Sequence, residues 1–227
     1  MTDFQQDGYE IVRQLLDAER INYLKREIKH HLNAKSTHGI RHLDKKVPAI
    51  AKIANSPLIR DRLKVYTQEN PQLVRAIYFN KTPENNWLVG WHQDKTISVR
   101  KKIATPGFIN WTVKQGIVSV QPPLTVMERI ITVRIHLDRA NNDNGALQVI
   151  PASHRKILNA SQIYSITTSF KSITCSANAG DALVMSPLIL HRSSKAKFNF
   201  DVYSIKERAI VHLEYARTKL PNNLQWN

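Results

Sequence analysis

Cysteine is almost missing from this chain: Cys175 is the single one among 227 residues. A lone thiol excludes an internal disulfide and fits a reducing compartment. No helper residue can be assigned to activate it, so Cys175 reads as a small buried side chain and not as a nucleophile. Glycine and proline are scarce too, at seven and ten, which excludes a low-complexity chain. No stretch approaches the roughly 20 apolar residues needed to cross a bilayer. The start, Met1-Thr2-Asp3-Phe4-Gln5-Gln6-Asp7, has neither the basic opening nor the apolar run of a signal peptide. The expectation is a soluble, cytoplasmic protein without membrane contact.

The last shortage is of negative charge. Eighteen acidic residues face 33 basic ones, a net charge of +15. Such a field favours anionic partners: nucleic acid, an acidic protein, or a substrate carrying carboxylate or phosphate. The denser basic groups lie at 25–29, 100–102 and 192–197, and none is a run of five. A basic nucleic-acid-binding or scaffold protein without catalysis is therefore the alternative reading, and charge alone does not settle it.

What is present is enough apolar material for a core, 42%, in a length that suits one domain over residues 1–227. About residues 1–70 read as helical. Asp17 can cap a helix in which Ala18, Ile21, Leu24, Ile28 and Leu32 recur at helical spacing. Further helical stretches are expected through Ile50, Ile53 and Ala54, and from Leu58 to Val65. From about residue 71 to 220 the pattern changes to short apolar runs between turn residues. Strands are expected at Leu73–Phe79, near Trp91, at Met127–Leu137, Ala146–Ile150, Ile173–Cys175, Ala182–Met185 and Ala209–Tyr215. Between Ile97 and Pro123 the turn residues suggest an irregular loop covering an active site. Helices first and strands afterwards, without βαβ alternation, predict a helix-buttressed sandwich or jelly roll.

Chemistry enters with His-x-Asp. On a strand, residues i and i+2 point the same way, so this tripeptide offers two adjacent metal ligands. A mononuclear iron oxygenase needs two histidines and a carboxylate on one side of the metal. The tripeptide alone is weak, because nine histidines and 18 acids in 227 residues give about one such pair by chance. It occurs at His42/Asp44, His92/Asp94 and His136/Asp138, with His212/Glu214 as a near variant. His42/Asp44 reads as solvated loop. His136/Asp138 shares a polar strand face with Thr132 and Arg134, and His212/Glu214 is either functional or an exposed polar edge. His92/Asp94 lies where a strand mouth would be. His191 follows 99 positions later (191 − 92), and Arg208 opens the last strand. A guanidinium there can grip a carboxylate with a two-point fork.

Several segments together resemble the phytanoyl-CoA dioxygenase (PhyH-like) family over nearly the whole chain. They are Asp7-Gly8-Tyr9, Trp91-His92-Gln93-Asp94-Lys95-Thr96, Val133-Arg134-Ile135-His136-Leu137-Asp138, the block from Asn144-Gly145 to Pro151-Ala152-Ser153-His154, Gly180-Asp181, His191-Arg192-Ser193 and Arg208-Ala209. The resemblance implies a double-stranded β-helix, a jelly roll with helices outside, and a dioxygenase using Fe(II), 2-oxoglutarate and O2. It makes His92, Asp94 and His191 the iron ligands. Arg208, helped by Ser193, would hold the far carboxylate of 2-oxoglutarate, with Arg134 close to the co-substrate in a less defined role. Asp94 implies hydroxylation, since halogenating relatives carry a small residue at that place. The substrate implied is a small or carrier-bound molecule, with anionic character suggested by the basic charge. Two departures stand out: Ala152 replaces a glycine, and the interval from His191 to Arg208 is long and carries Lys195, Lys197 and Lys206.

Overall fold

The computed structural model describes residues 3–32, 39–197 and 207–227; Lys206 lies outside the described residues. The chain begins with a helical turn, α1 (Phe4–Asp7), which Gly8 ends at φ +82°. Strand β1 (Tyr9–Val12) follows, then α2 (Ala18–His31). Asp17 caps α2 as expected, its side chain accepting from the Arg20 backbone N–H, and Ile21, Leu24 and Ile28 are the face it buries. Then come β2 (Ile40–Arg41), α3 (Leu43–Lys46), α4 (Pro48–Ala54) and α5 (Pro57–Thr67). Both α4 and α5 start on proline, whose missing N–H costs nothing in a first turn.

The strand-rich part contains β3 (Gln72–Lys81), β4 (Val89–His92), β5 (Ile97–Val99), β6 (Ile109–Lys114) and β7 (Ile117–Gln121). After α6 (Leu124–Met127) come β8 (Ile130–His136), β9 (Leu147–Ile150), α7 (Ala160–Ser169), β10 (Ile173–Thr174), β11 (Ala182–Met185), β12 (Leu190–Ser193) and β13 (Arg208–Ala216). Six strands form one sheet in the order β1-β11-β8-β13-β3-β2, and four form another in the order β10-β9-β12-β4. All pairings are antiparallel. This is the expected double-stranded β-helix.

Alternation along β8 divides the interior. Ile131, Val133, Ile135 and Leu137 point outward and pack with α2, α4 and α5 in the main core. Each such side chain, fully buried, contributes about 1.5–3 kcal/mol. Thr132, Arg134 and His136 therefore point inward, toward the smaller sheet. On β13 the inward set is Arg208, Ile210, His212 and Glu214. The helices cover the outer face of the large sheet, and its polar inner face becomes a wall of a cavity.

Four local expectations need correction. The segment 97–123 is a three-stranded antiparallel sheet, β5-β7-β6, and not an irregular loop. Its Ile97, Val99 and Val120 pack on Val74, Met127 and Leu188 in a second core, and it does not line the main cavity. The punctuation at Thr105-Pro106-Gly107 and Pro122-Pro123 concealed strands of three to six residues. The strand expected from Met127 starts at Ile130, because Pro123 opens a helical turn instead. The N-terminal third is not purely helical, since β1 and β2 supply the two edges of the large sheet. Helix α7 was not anticipated, although Asn159 and Gln162 form a capping box at its start. Its Ile163 and Ile166 cover the outer face of the smaller sheet.

Candidate metal centre and its cavity

Strands β4 and β12 pair so that His92 and His191 stand opposite each other. Both rings leave the same face, 4.2 Å apart between centroids. Asp94, two residues beyond His92, is fixed by its backbone N–H, which donates to the Pro187 carbonyl at 2.9 Å. Ligand atoms of His92, Asp94 and His191 all lie within 4.8 Å of one another. The three residues picked from sequence are thus brought together from two strands and the turn after one of them.

Hydrogen bonds fix how the rings are used. His92 Nδ1 is 2.9 Å from the Gly90 carbonyl and His191 Nδ1 is 2.8 Å from that of Ile189. A carbonyl only accepts, so each Nδ1 carries the proton and each Nε2 presents a lone pair. Those Nε2 atoms face Asp94 at 3.7 and 3.6 Å. Burial works against the Asp94 carboxylate, but interaction with the His191, His212 and His92 rings, which protonate only in acid, and with the Arg75 guanidinium outweighs it and draws the pKa down to about 2. Burial is also the main cause that holds His191 down, to about 4. An anionic carboxylate beside neutral imidazoles is the donor set that a divalent ion takes.

Gln93, between the two ligands, points the other way and is a residue the sequence reading missed. Its Nε2 donates to the carbonyls of Leu188 at 2.6 Å and Lys156 at 2.9 Å, and its Oε1 accepts from the Leu158 N–H at 2.8 Å. This clip ties the ligand turn to the segments before β12 and before α7. Strand alternation was the signal available for it.

His92, Asp94 and His191 line a cavity of about 250 Å³. At one end Arg208 and Lys81 are register partners on β13 and β3. Lys81 is fully buried, donates to Ser193 Oγ at 2.8 Å, and also bonds the Ser194 carbonyl. Ser193 in turn donates to the Gly145 carbonyl at 2.8 Å. Its hydroxyl proton is thereby committed, and its role in this geometry is to hold Lys81. Gly145 has φ +75°, and a Cβ there would collide with the Ser194 carbonyl and come within 2.9 Å of Lys81 Nζ. The Arg208 side chain makes no hydrogen bond among the described residues, and its Nε is buried without a partner. Burial, reinforced by repulsion from Arg134, lowers its pKa to about 9. Burial and the charges of Arg208 and Arg134 bring Lys81 down to about 7. Two enclosed cations in ion-pair contact with no carboxylate among the described residues make a seat suited to an anion.

Arg134, His212, Glu214 and Arg75 line the same cavity as Asp94. The exposed-edge reading of His212 and Glu214 does not hold, since both are buried. Other sequence candidates fall elsewhere. His136 is buried with neither ring nitrogen partnered, and burial takes it to about 3, so it stays neutral outside the cavity lining. Asp138 is bound by Lys25 and by the Ala209 N–H. His42 sits at the start of α3, and His154 lies against Gly8. Burial pushes the Cys175 thiol up to about 12, which makes it inert. Of the tryptophans, Trp87 lines the cavity, Trp91 packs under Arg192, and Trp111 packs in the small-sheet core.

The sequence profile of the phytanoyl-CoA dioxygenase (PhyH) family matches residues 4–197. The chain belongs to that family. No curated protein matches the sequence, but solved structures share the fold. AviO1 from Streptomyces viridochromogenes Tue57 is 16% identical with a TM-score of 0.68, over 96% of this chain and 93% of that one. The non-heme alpha-ketoglutarate-dependent carbocyclase SnoK of nogalamycin biosynthesis is 12% identical at a TM-score of 0.70, covering 94% and 81%. EctD from S. alaskensis, solved with bound Fe, is 16% identical at 0.69, covering 94% and 74%. As a PhyH protein, the chain has a donor set and an anion seat that fit iron and a dicarboxylate co-substrate.

Proposed function

We propose that this PhyH protein is an Fe(II)- and 2-oxoglutarate-dependent dioxygenase that hydroxylates an unactivated C–H bond of a small or carrier-bound, anionic substrate. The observation that carries the reading is the meeting, in one cavity, of two imidazole lone pairs and a carboxylate with the uncompensated Arg208–Lys81 pair. Bound together, iron and 2-oxoglutarate supply the oxidising power by coupling O2 reduction to decarboxylation of the co-substrate. His92, His191 and Asp94 would hold the metal from one side and leave its other side open. Arg208 and Lys81 would receive the far carboxylate of 2-oxoglutarate, with Ser193 and Gly145 fixing the ammonium. Phe79, Trp87, Val89 and Leu147 line the space between and exclude water. With Asp94 as a ligand, a carboxylate would stand where a halide would have to bind, which favours hydroxylation over halogenation.

The test is an anaerobic titration of metal-free protein with Fe(II) and then 2-oxoglutarate, followed in the visible spectrum. A weak charge-transfer band that needs both additions, and is lost in His191→Ala, is the expected result. No band in folded, iron-loaded protein would overturn the reading.

A further inference from the structure

The part of the cavity wall formed by Arg134, His212, Glu214 and Arg75 has a polarity that the metal and the co-substrate do not use. Arg134 Nη1 lies 2.9 Å from His212 Nδ1, and His212 Nε2 lies 3.0 Å from Glu214 Oε1. A guanidinium has only donors. His212 Nδ1 must therefore be the acceptor, which places the ring proton on Nε2, donated to Glu214. Arg75 completes the row, donating to Glu214 Oε1 at 2.9 Å and to Thr96 O and Ser98 Oγ at 3.0 Å. In this chain of bonds His212 has spent both nitrogens and serves as a spacer.

Its two ends have not spent theirs. The Arg134 side chain makes no other hydrogen bond among the described residues, and neither its Nε nor its Nη2 is among the fully enclosed atoms without a partner. Glu214 likewise accepts only through Oε1, which leaves Oε2 free, and both residues line the cavity. Burial presses the Arg134 guanidinium down to about 10 against the weaker pull of Asp94, with which it makes no ion-pair contact. Charge points the same way. Arg75 matches Glu214 in a largely buried pair at 2.9 Å; Arg134, Arg208 and Lys81 have no ion-pair partner among the described residues, and a divalent metal would add one further charge once Asp94 is counted. A dicarboxylate co-substrate answers only two of these, so the occupied cavity still favours an anion.

We propose that Arg134 and Glu214 are the substrate-recognition pair of this cavity, and that the substrate is a small molecule with a carboxylate or similar oxyanion for Arg134 and a hydrogen-bond donor, amine or hydroxyl, for Glu214. The inference rests on the dioxygenase reading and names its substrate class. An imidazole and two hydrogen bonds separate the two ends, so the oxyanion and the donor stand several bonds apart and not on one carbon. Ile77 and Phe79, on the neighbouring strand, give the connecting carbons an apolar bed.

Isothermal titration of protein loaded with Zn(II) and 2-oxoglutarate tests this with γ-aminobutyrate, butyrate and n-butylamine as probes. The expected order of affinity is γ-aminobutyrate, then butyrate, with no saturable binding of n-butylamine. Arg134→Gln should weaken both carboxylates about ten- to hundredfold while 2-oxoglutarate binding is kept. Glu214→Gln should bring γ-aminobutyrate down toward butyrate. Arg134→Lys, which keeps the charge, is the second variant and should retain part of the butyrate affinity. An Arg134→Gln protein that loses 2-oxoglutarate as severely as Arg208→Ala would assign Arg134 to the co-substrate and overturn the proposal. So would normal 2-oxoglutarate binding with no saturable probe in the wild type. Failure of 2-oxoglutarate itself to bind the Zn(II)-loaded wild type would instead sink the dioxygenase reading beneath it.

Discussion

Lys81→Met separates what the buried ammonium does for the fold from what it does for the ligand. Burial and two neighbouring guanidiniums take Lys81 from its ordinary 10.5 to about 7. At about 1.4 kcal/mol for each pH unit, that fall corresponds to a folding penalty near 5 kcal/mol. The sign follows from linkage. Between pH 7 and 10.5 the unfolded chain holds a proton at this residue that the folded chain has given up, so stability rises with pH across that window. Below about pH 7 the penalty is complete, and above 10.5 it is gone. Methionine has a similar length and no charge. It removes the penalty but leaves the Ser194 carbonyl without its donor, at a cost of about 1–3 kcal/mol. The net expectation is a gain of about 2–4 kcal/mol at about pH 6.5, vanishing or reversing near pH 10. The affinity for 2-oxoglutarate should fall about 10- to 150-fold, the worth of one hydrogen bond to a charged group. Urea melts at the two pH values and calorimetric titration of 2-oxoglutarate measure both sides. A Lys81→Met protein that is less stable at both pH values, yet binds 2-oxoglutarate like the wild type, would refute the reasoning.

Other expectations concern the metal and two backbone positions. Asp94→Ala or His92→Ala should abolish turnover and bound iron together, measured by product formation and metal analysis; an active Asp94→Ala enzyme would remove Asp94 from the ligand set. Arg208→Ala should chiefly weaken 2-oxoglutarate, by about 10- to 150-fold in titration, with iron content unchanged. Ala152 holds φ +61°, a left-handed conformation that glycine adopts without strain, so Ala152→Gly should raise stability by about 0.5–1 kcal/mol in thermal melts. Gly145→Ala should do the opposite and also weaken 2-oxoglutarate, because the added methyl group displaces the Ser194 carbonyl and the Lys81 ammonium; unchanged affinity would show that the Lys81 position is not critical.

Much of this molecule was determined locally. The helical stripe of α2, its Asp17 cap and the alternation of β8 follow from spacing alone, because a helix repeats at 3.6 residues and a strand at two. The same period of two puts His92 and Asp94 on one side and sends Gln93 to the other. Spacing could not rank the competing His-x-Asp pairs, and it could not say that β12 would stand beside β4 with His191 opposite His92. That register is a matter of long-range pairing. Nor could it tell three short strands from a loop at 97–123, where proline and glycine punctuate both alike. The tertiary structure alone decided the states of the charges. His212 and Glu214 read equally well as an exposed polar edge, and nothing in the sequence singled out Lys81, until two sheets closed over them. Closure removes the water that would have solvated them and leaves each group only the partners that the fold provides. Desolvation and hydrogen-bond direction depend on that enclosure, and so the anion seat, the histidine tautomers and the row from Arg134 to Arg75 belong to the packed sheets and not to any stretch of sequence.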